Sequence, residues 1–167
     1  MKKVFLVLAL SVLTIAAAVA QPRAIGGRLG YGIDFSYQHQ LGNNKIHLDV
    51  GVPFFDGVHG VCTYDWINPG GTDVPWSHAG QWNWYVGVGA GIGYHGFYNN
   101  EHSSHLDYMS AGVAARLGIE YRCPFPMTVA IDWRPVFGIG TGFHGGDDVW
   151  WYREGLYHVG LSLYYNF

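Results

Sequence analysis

The chain has 167 residues, a formal charge of −3, 25 glycines and 28 aromatic residues, with only 13% of positions charged. No basic patch marks a nucleic-acid partner, and two cysteines are too few for a disulfide-stapled miniprotein. Past the N-terminus no stretch approaches the roughly 20 apolar residues of a membrane helix, which leaves a secreted β-sandwich or a membrane β-barrel.

The first twenty residues read as an export signal outside the fold. Lys2 and Lys3 precede an apolar run from Val4 to Val19, and Ala18-Val19-Ala20 is the small-x-small pattern of a cleavage site between Ala20 and Gln21. Residues 1–20 are thus expected to be a signal peptide and 21–167 a single mature domain. No cysteine follows the cleavage point, so no lipid-anchored N-terminus is expected.

From there a period-2 alternation recurs almost to the C-terminus. Residues 23–30 are predicted to rise, to turn at Gly30-Tyr31-Gly32, and to descend through 33–41, where Ile33, Phe35 and Tyr37 alternate with Asp34, Ser36 and Gln38. Strand 45–54 rises with Ile46, Leu48, Val50 and Val52 set against Lys45, His47, Asp49 and Gly51. Strand 57–66 descends from the Asp56-Gly57 turn, a good hairpin signal. A Gly/Pro-containing connection, 67–80, leads to strand 81–97, where Val86, Val88, Ala90 and Ile92 face away from Gly87, Gly89, Gly91 and Gly93. Strand 106–122 descends from a loop at 99–105. Cys123-Pro124-Phe125-Pro126 is a tight turn, because its prolines cannot donate to a ladder. Strand 127–138 follows, then a loop over 139–154, then a last strand, 155–167. Keeping 28–41 as one strand would instead require a short extra strand within 139–152 to make the number even. Cys62 and Cys123 fall on strands that are not neighbours and are expected to be free thiols.

These segments run to 10–17 residues, well beyond the five or six usual for sandwich strands, and their less apolar face is rich in Gly and Ala. The expected fold class is therefore all-β: a single antiparallel transmembrane β-barrel of eight strands, apolar toward lipid and polar toward the interior. Aromatics support the orientation. Tyr37, Trp66, Trp82, Trp84, Tyr121, Tyr165 and Phe167 fall at one end, and Phe54, Tyr98, Phe137 and Tyr157 at the other, as interfacial girdles do.

The segments Arg23-Ala-Ile-Gly-Gly-Arg28, Ser36-Tyr-Gln-His39, Asn83-Trp-Tyr-Val-Gly-Val-Gly89, and Gly118-Ile-Glu-Tyr121 through Ile131-Asp-Trp-Arg-Pro135 resemble the small outer-membrane β-barrel proteins common in Bacteroidetes. The closing run Tyr157, Val159, Leu161, Leu163, Tyr165, Phe167 is similar to the C-terminal signature read by the barrel assembly machinery. The resemblance covers nearly the whole mature chain and implies a fold and an address, the cell outer membrane. The implied partners are outer-membrane lipid and, during insertion, the assembly machinery. That family is mostly of unknown activity and offers no catalytic residues, and a monomer is expected.

Eight strands enclose an interior that side chains just fill. Arg28, Asp34, His47, Asp49, Arg116, Glu120, Asp132, Arg134 and His158 are predicted to point inward and to form a buried polar network, with His59, Asp65 and His95 on the same face. A proton-sensitive gate built on His47, His59, His95 and His158 is the functional version of that lumen, since histidine changes charge near neutral pH. Two outer-loop clusters carry chemistry-capable groups. Glu101-His102-Ser103-Ser104-His105 holds a nucleophile, a base and a carboxylate, the elements of a lipid A acyltransferase or deacylase, but catalysis needs them in mutual hydrogen-bond reach. His144 with Asp147 and Asp148, or His102 with His105, is too loosely spaced for a metal site. Trp76 and the run Trp150-Trp151-Tyr152 are candidate adhesive or membrane-anchoring aromatics. The expected role is a structural or surface-interaction barrel with no catalysis, cofactor or metal. A barrel that binds or passes a small apolar molecule is the alternative.

Overall fold

The computed structural model describes residues 22–54, 57–68, 80–99, 104–142 and 149–167. The residues of the expected signal peptide lie outside this set. The described strands, in chain order, are β1 (Arg23–Leu29), β2 (Gly32–Leu41), β3 (Asn44–Pro53), β4 (Val58–Ile67), β5 (Gln81–Asn99), β6 (Ser104–Arg122), β7 (Met127–Trp133), β8 (Val136–Gly142), β9 (Val149–Glu154) and β10 (Val159–Asn166). All pairings are antiparallel, in the order β5-β4-β3-β2-β1-β10-β7-β6-β8-β9, and β5 also pairs with β6, which closes the sheet.

Ten segments make eight barrel strands because two strands are each interrupted once. β7 and β8 both pair with β6, in one register: Leu117 faces Trp133 and Ala114 faces Val136. Between them stand Arg134 and Pro135. Proline has no N–H for the ladder, yet its carbonyl still accepts from the Ala115 amide at 3.0 Å. The break is therefore local, and alternation survives across it.

The eighth strand is β9 followed by β10. Glu154 faces Val136 and Val159 faces Trp133, so four residues, 155–158, oppose only two on the facing strand. Gly155, at φ +67°, starts this bulge, which suits a residue without a Cβ penalty. Part of the expected 139–154 loop is thus strand, and the last strand begins at Val159 rather than at residue 155. The even number comes from the fold-back at Gly30–Gly32, and 28–41 is not one strand; 149–154 extends the last barrel strand and adds none. Gly30 and Tyr31 turn β1 back into β2, with the Gly30 amide donating to the Gly32 carbonyl at 3.0 Å, and 149–154 caps the last strand.

Facing outward on these strands are Ile33, Phe35, Val50, Val88, Ile92, Val113, Leu117, Ile131, Leu161 and Leu163, all exposed. An exposed apolar belt of this size on an isolated chain is what lipid covers. At the end near the start of β1 and the end of β10, Trp82 packs tilted against Tyr121 (4.9 Å between ring centres) and Tyr64 meets Trp66 edge-on (5.2 Å). Cys62 is exposed on the belt and Cys123 sits in the turn after β6, and both are free.

The wall is uneven in height. β5 and β6 have 19 residues each, whereas β2, β3 and β4 have 10 and β1 has seven. A transmembrane strand needs roughly 9–11 residues. β5, β6, β8 and β9 therefore form a tall side that stands above the β1–β4 side, at the end away from the termini.

Replacing Ile131, mid-belt on β7 and half-exposed, with arginine should destabilise the inserted barrel by about 2–4 kcal/mol. Urea unfolding in lipid vesicles measures this. An Ile131→Arg variant as stable as the parent would mean that this face does not meet hydrocarbon.

Candidate functional site

The interior is filled by charge. Among the described residues the buried charged groups are Arg28, Lys45, Arg116, Arg134, Asp34, Asp49, Asp65, Glu120, Asp132 and Glu154. Alternation puts each of them on the inner face, and the barrel brings distant strands within reach of one another.

Six of them close a ring across the lumen. Arg28 Nε donates to Asp132 Oδ1 at 2.8 Å, and its NH1 lies 3.6 Å from Asp34 Oδ2. Asp34 Oδ2 accepts from Arg134 NH2 at 3.0 Å, and Arg134 NH1 donates to Asp49 Oδ2. Asp49 Oδ2 lies 3.4 Å from Arg116 NH1, whose NH2 returns to Asp132 Oδ2 at 2.8 Å. Each arginine thus bridges two aspartates, and each aspartate two arginines. The guanidinium fork, planar and always charged, is suited to this double contact. Ser36 adds a hydroxyl to Asp49, while Tyr85 and Ser162 approach Asp132 at 3.5 Å.

Space for these long side chains comes from glycines on neighbouring strands. A Cβ at Gly51 would strike the Asp34 carboxylate, one at Gly87 the Asp65 carboxylate, one at Gly118 the Tyr85 ring, and one at Gly160 the Arg28 guanidinium. The Gly-rich inner face is the counterpart of the charged one.

Toward the termini the next layer is an ion pair, Lys45 Nζ to Glu120 Oε2 at 2.6 Å. Glu120 also takes Arg122 Nε at 3.1 Å and Asn83 Nδ2 at 3.3 Å, and the Lys45 ammonium sits 4.0 Å over the Tyr85 ring. His47 links the layers: Nε2 is 3.0 Å from Asp49 and Nδ1 3.7 Å from Asp65. Toward the tall end, His59 lies between two carboxylates. Nε2 meets Asp34 at 2.8 Å, and Nδ1 comes within 2.9 Å of Glu154. Among the described residues the buried charged groups number four cations against six carboxylates, with His47 and His59 set among them.

Tyr152 donates to Glu154 and also contacts His95 Nε2 at 3.0 Å. His95 stacks on Tyr108 at 4.6 Å, and Tyr108 meets Trp150 edge-on at 5.4 Å. These aromatics cap the lumen. The expected Trp150-Trp151-Tyr152 cluster is therefore divided by strand alternation: Tyr152 is buried inside, Trp150 leans on Tyr108 but stays 40% exposed, and Trp151 stands outward, 85% exposed.

Eight of the nine lumen residues expected from sequence lie buried in this network. His158 does not. It is exposed beside Tyr31, 5.3 Å between ring centres, because the Gly155 bulge lifts 155–158 out of the strand. The same bulge removes Tyr157, 88% exposed, from the closing stripe, which starts at Val159. Lys45 was visible as an inner-face residue, but its pairing with Glu120, 75 positions away, was not. Glu154 and Tyr152 were hidden in a segment read as loop. Glu101, His102, Ser103, His144, Asp147, Asp148 and Trp76 lie outside the described residues.

Ser110 Oγ and His95 Nε2 are 3.2 Å apart, but both groups are buried and the same nitrogen faces the Tyr152 hydroxyl. A nucleophile needs access and a base free to take its proton. This pair instead belongs to a packed cap.

The fold is that of an outer-membrane β-barrel. The chain is similar to the crystal structure of the N-terminal β-barrel domain of Pseudomonas aeruginosa OprF, with 13% identity, a TM-score of 0.50, and coverage of 88% of this chain and 96% of that one. No family model and no curated protein matches the sequence.

Arg116→Met leaves Asp49 and Asp132 each short of a partner and should cost about 3–5 kcal/mol. Adding Asp132→Asn should restore part of that loss, with a coupling of about 1–3 kcal/mol. Unfolding midpoints of the single and double variants provide the check. Strict additivity would mean that the ring is not an energetic unit.

Proposed function

We propose that this chain is an integral outer-membrane protein of structural and surface-contacting character, monomeric and without catalysis of its own. One observation carries the reading: an apolar belt surrounds an interior closed by buried, mutually paired charge. Such a barrel holds a position in lipid and exposes its upper wall, but its core offers neither an open path nor an accessible reactive group. The tall side supplies the contact surface, with Val149 and Trp151 on the outer face of β9 and Ile139 beside them on β8. Passage of a small apolar molecule has less support, because a lumen lined by ion pairs repels apolar solutes.

The proposed address follows from the export signal expected at 1–20 together with the barrel. Outer-membrane lipid would cover the belt, and the assembly machinery would read the stripe Val159, Leu161, Leu163, Tyr165 and Phe167, all exposed on one face. Both termini and the 42–43 and 123–126 turns then face the periplasm, and β5–β6 and β8–β9 rise outside.

An epitope inserted at Gly145-Gly146 should be labelled on intact cells, and one at Asn43 only after permeabilisation. The same tagged chain carrying Phe167→Ala should fall several-fold in outer-membrane fractions. Reversed labelling would invert the orientation, and unchanged levels would remove Phe167 from any assembly role.

Cells with and without the gene should yield identical lipid A masses while differing in adhesion or envelope integrity. A mass shift would establish lipid A modification instead. Unaltered surface properties would contradict the surface-contact role.

A further inference from the structure

The interior opens at the terminal end into a cavity of about 440 Å³, roofed by the Lys45–Glu120 pair. Its volume lies in the range of small-molecule sites. Arg23, Lys45 and Arg122 border it, joined by the amides of Gln38, Gln40 and Asn166. The lining contains no carboxylate side chain, and Glu120 above it is the nearest one its residues engage. The arginine–aspartate ring balances its own charge, and above the cavity Asp65, cross-strand from Lys45, adds a second buried carboxylate to Glu120. Phe167, whose carbonyl accepts from the Arg23 amide at 2.9 Å, brings the terminal carboxylate to the same rim. The mouth's capacity for an anion therefore rests on the unengaged donors of Arg122 rather than on net charge.

Arg122 gives Glu120 its Nε alone, and its side chain is about one-third exposed. The two terminal nitrogens of its guanidinium have no partner among the described residues. Two donors in a fixed fork suit a planar carboxylate or a phosphate. On one side the turn Pro124-Phe125-Pro126 gives the cavity a stiff apolar lip, with Phe125 exposed.

We infer that this mouth binds a small oxyanion-bearing molecule, a carboxylate or phosphate on a body of about sugar size, with Arg122 and Lys45 as its charged contacts. A lipid headgroup reaches it poorly, because Lys45, Gln38, Thr128 and Asn166 lie on the inner face of the barrel and not on the lipid belt. The inference rests on the outer-membrane reading only in assigning the ligand to the periplasm; the binding chemistry stands without it.

The test uses the full mature chain refolded in detergent, with gel mobility that changes on boiling as proof of the barrel. Calorimetric titration with glucose 6-phosphate, glucuronate and glucose separates phosphate, carboxylate and bare sugar. At least one acid should bind with a Kd of about 1 mM or tighter, more weakly at high salt, and glucose should not bind. Arg122→Gln should weaken that binding about tenfold or more while the heat-dependent mobility persists. In phosphatidylglycerol nanodiscs, binding retained at its phosphatidylcholine strength supports a soluble ligand, whereas its loss there would overturn that assignment in favour of lipid phosphate. Failure of both acids to bind, or equal affinity in Arg122→Gln, would overturn the site without touching the fold. Absence of heat-dependent mobility would instead overturn the barrel.

Discussion

Three arginines and three aspartates, drawn from β1, β2, β3, β6, β7 and the Arg134-Pro135 break, alternate around a closed circuit in the lumen. A lipid-spanning barrel has its apolar surface outside, so its core cannot be held by the hydrophobic effect that organises soluble domains. Buried ion pairs are costly to desolvate and stabilise only when each partner is well matched. The circuit answers that constraint by giving every charge two neighbours of opposite sign. It also ties strands that are not neighbours: Arg28 on β1 reaches Asp132 on β7 past β10, and Arg134 reaches Asp49 on β3 across the lumen.

The rest of the interior depends on that layer. Glycines at 51, 87, 118 and 160 are placed where large side chains from adjacent strands need room. His47 and His59 extend the network from the ring toward either end. Below lies the mouth and above it the aromatic cap of His95, Tyr108, Trp150 and Tyr152. The lumen is thus graded along its axis, from charged and amide side chains at one end to stacked rings at the other.

The barrel itself was legible because lipid on one side and packed charge on the other impose a strict period of two, which Ile33–Tyr37 or Val86–Ile92 display without interruption. Inward residues followed from the same parity. Parity also produced the errors. The 155–158 bulge inserts two residues, so the pattern resumes in phase, and His158 and Tyr157 looked like strand positions although both stand outside the ladder. Pro135 leaves the register of β7 and β8 unchanged, so a proline that breaks the ladder gave no sign of itself in the alternation. Pairings such as Lys45 with Glu120 were not legible, because local sequence carries no information on which inner-face charges meet across a lumen.

The unequal wall also locates the membrane. Hydrocarbon tolerates no open sheet edge, since unpaired backbone N–H and C=O groups find no water there. Above Tyr94, β5 has left β4 behind, and β9 has β8 as its partner while β1 stops opposite Leu161. Those two edges must therefore lie beyond the hydrocarbon, and its outer boundary falls near Val58, Tyr94 and Phe137. Counting about ten residues down each strand from that line reaches Trp66, Trp82 with Trp84, and Met127, at the aromatic end near the termini. Backbone pairing and side-chain girdle thus define the same slab. It follows that Trp151 and Val149, beside an open edge and above the slab, are held clear of the hydrocarbon by the geometry that keeps β5 and β9 out of lipid.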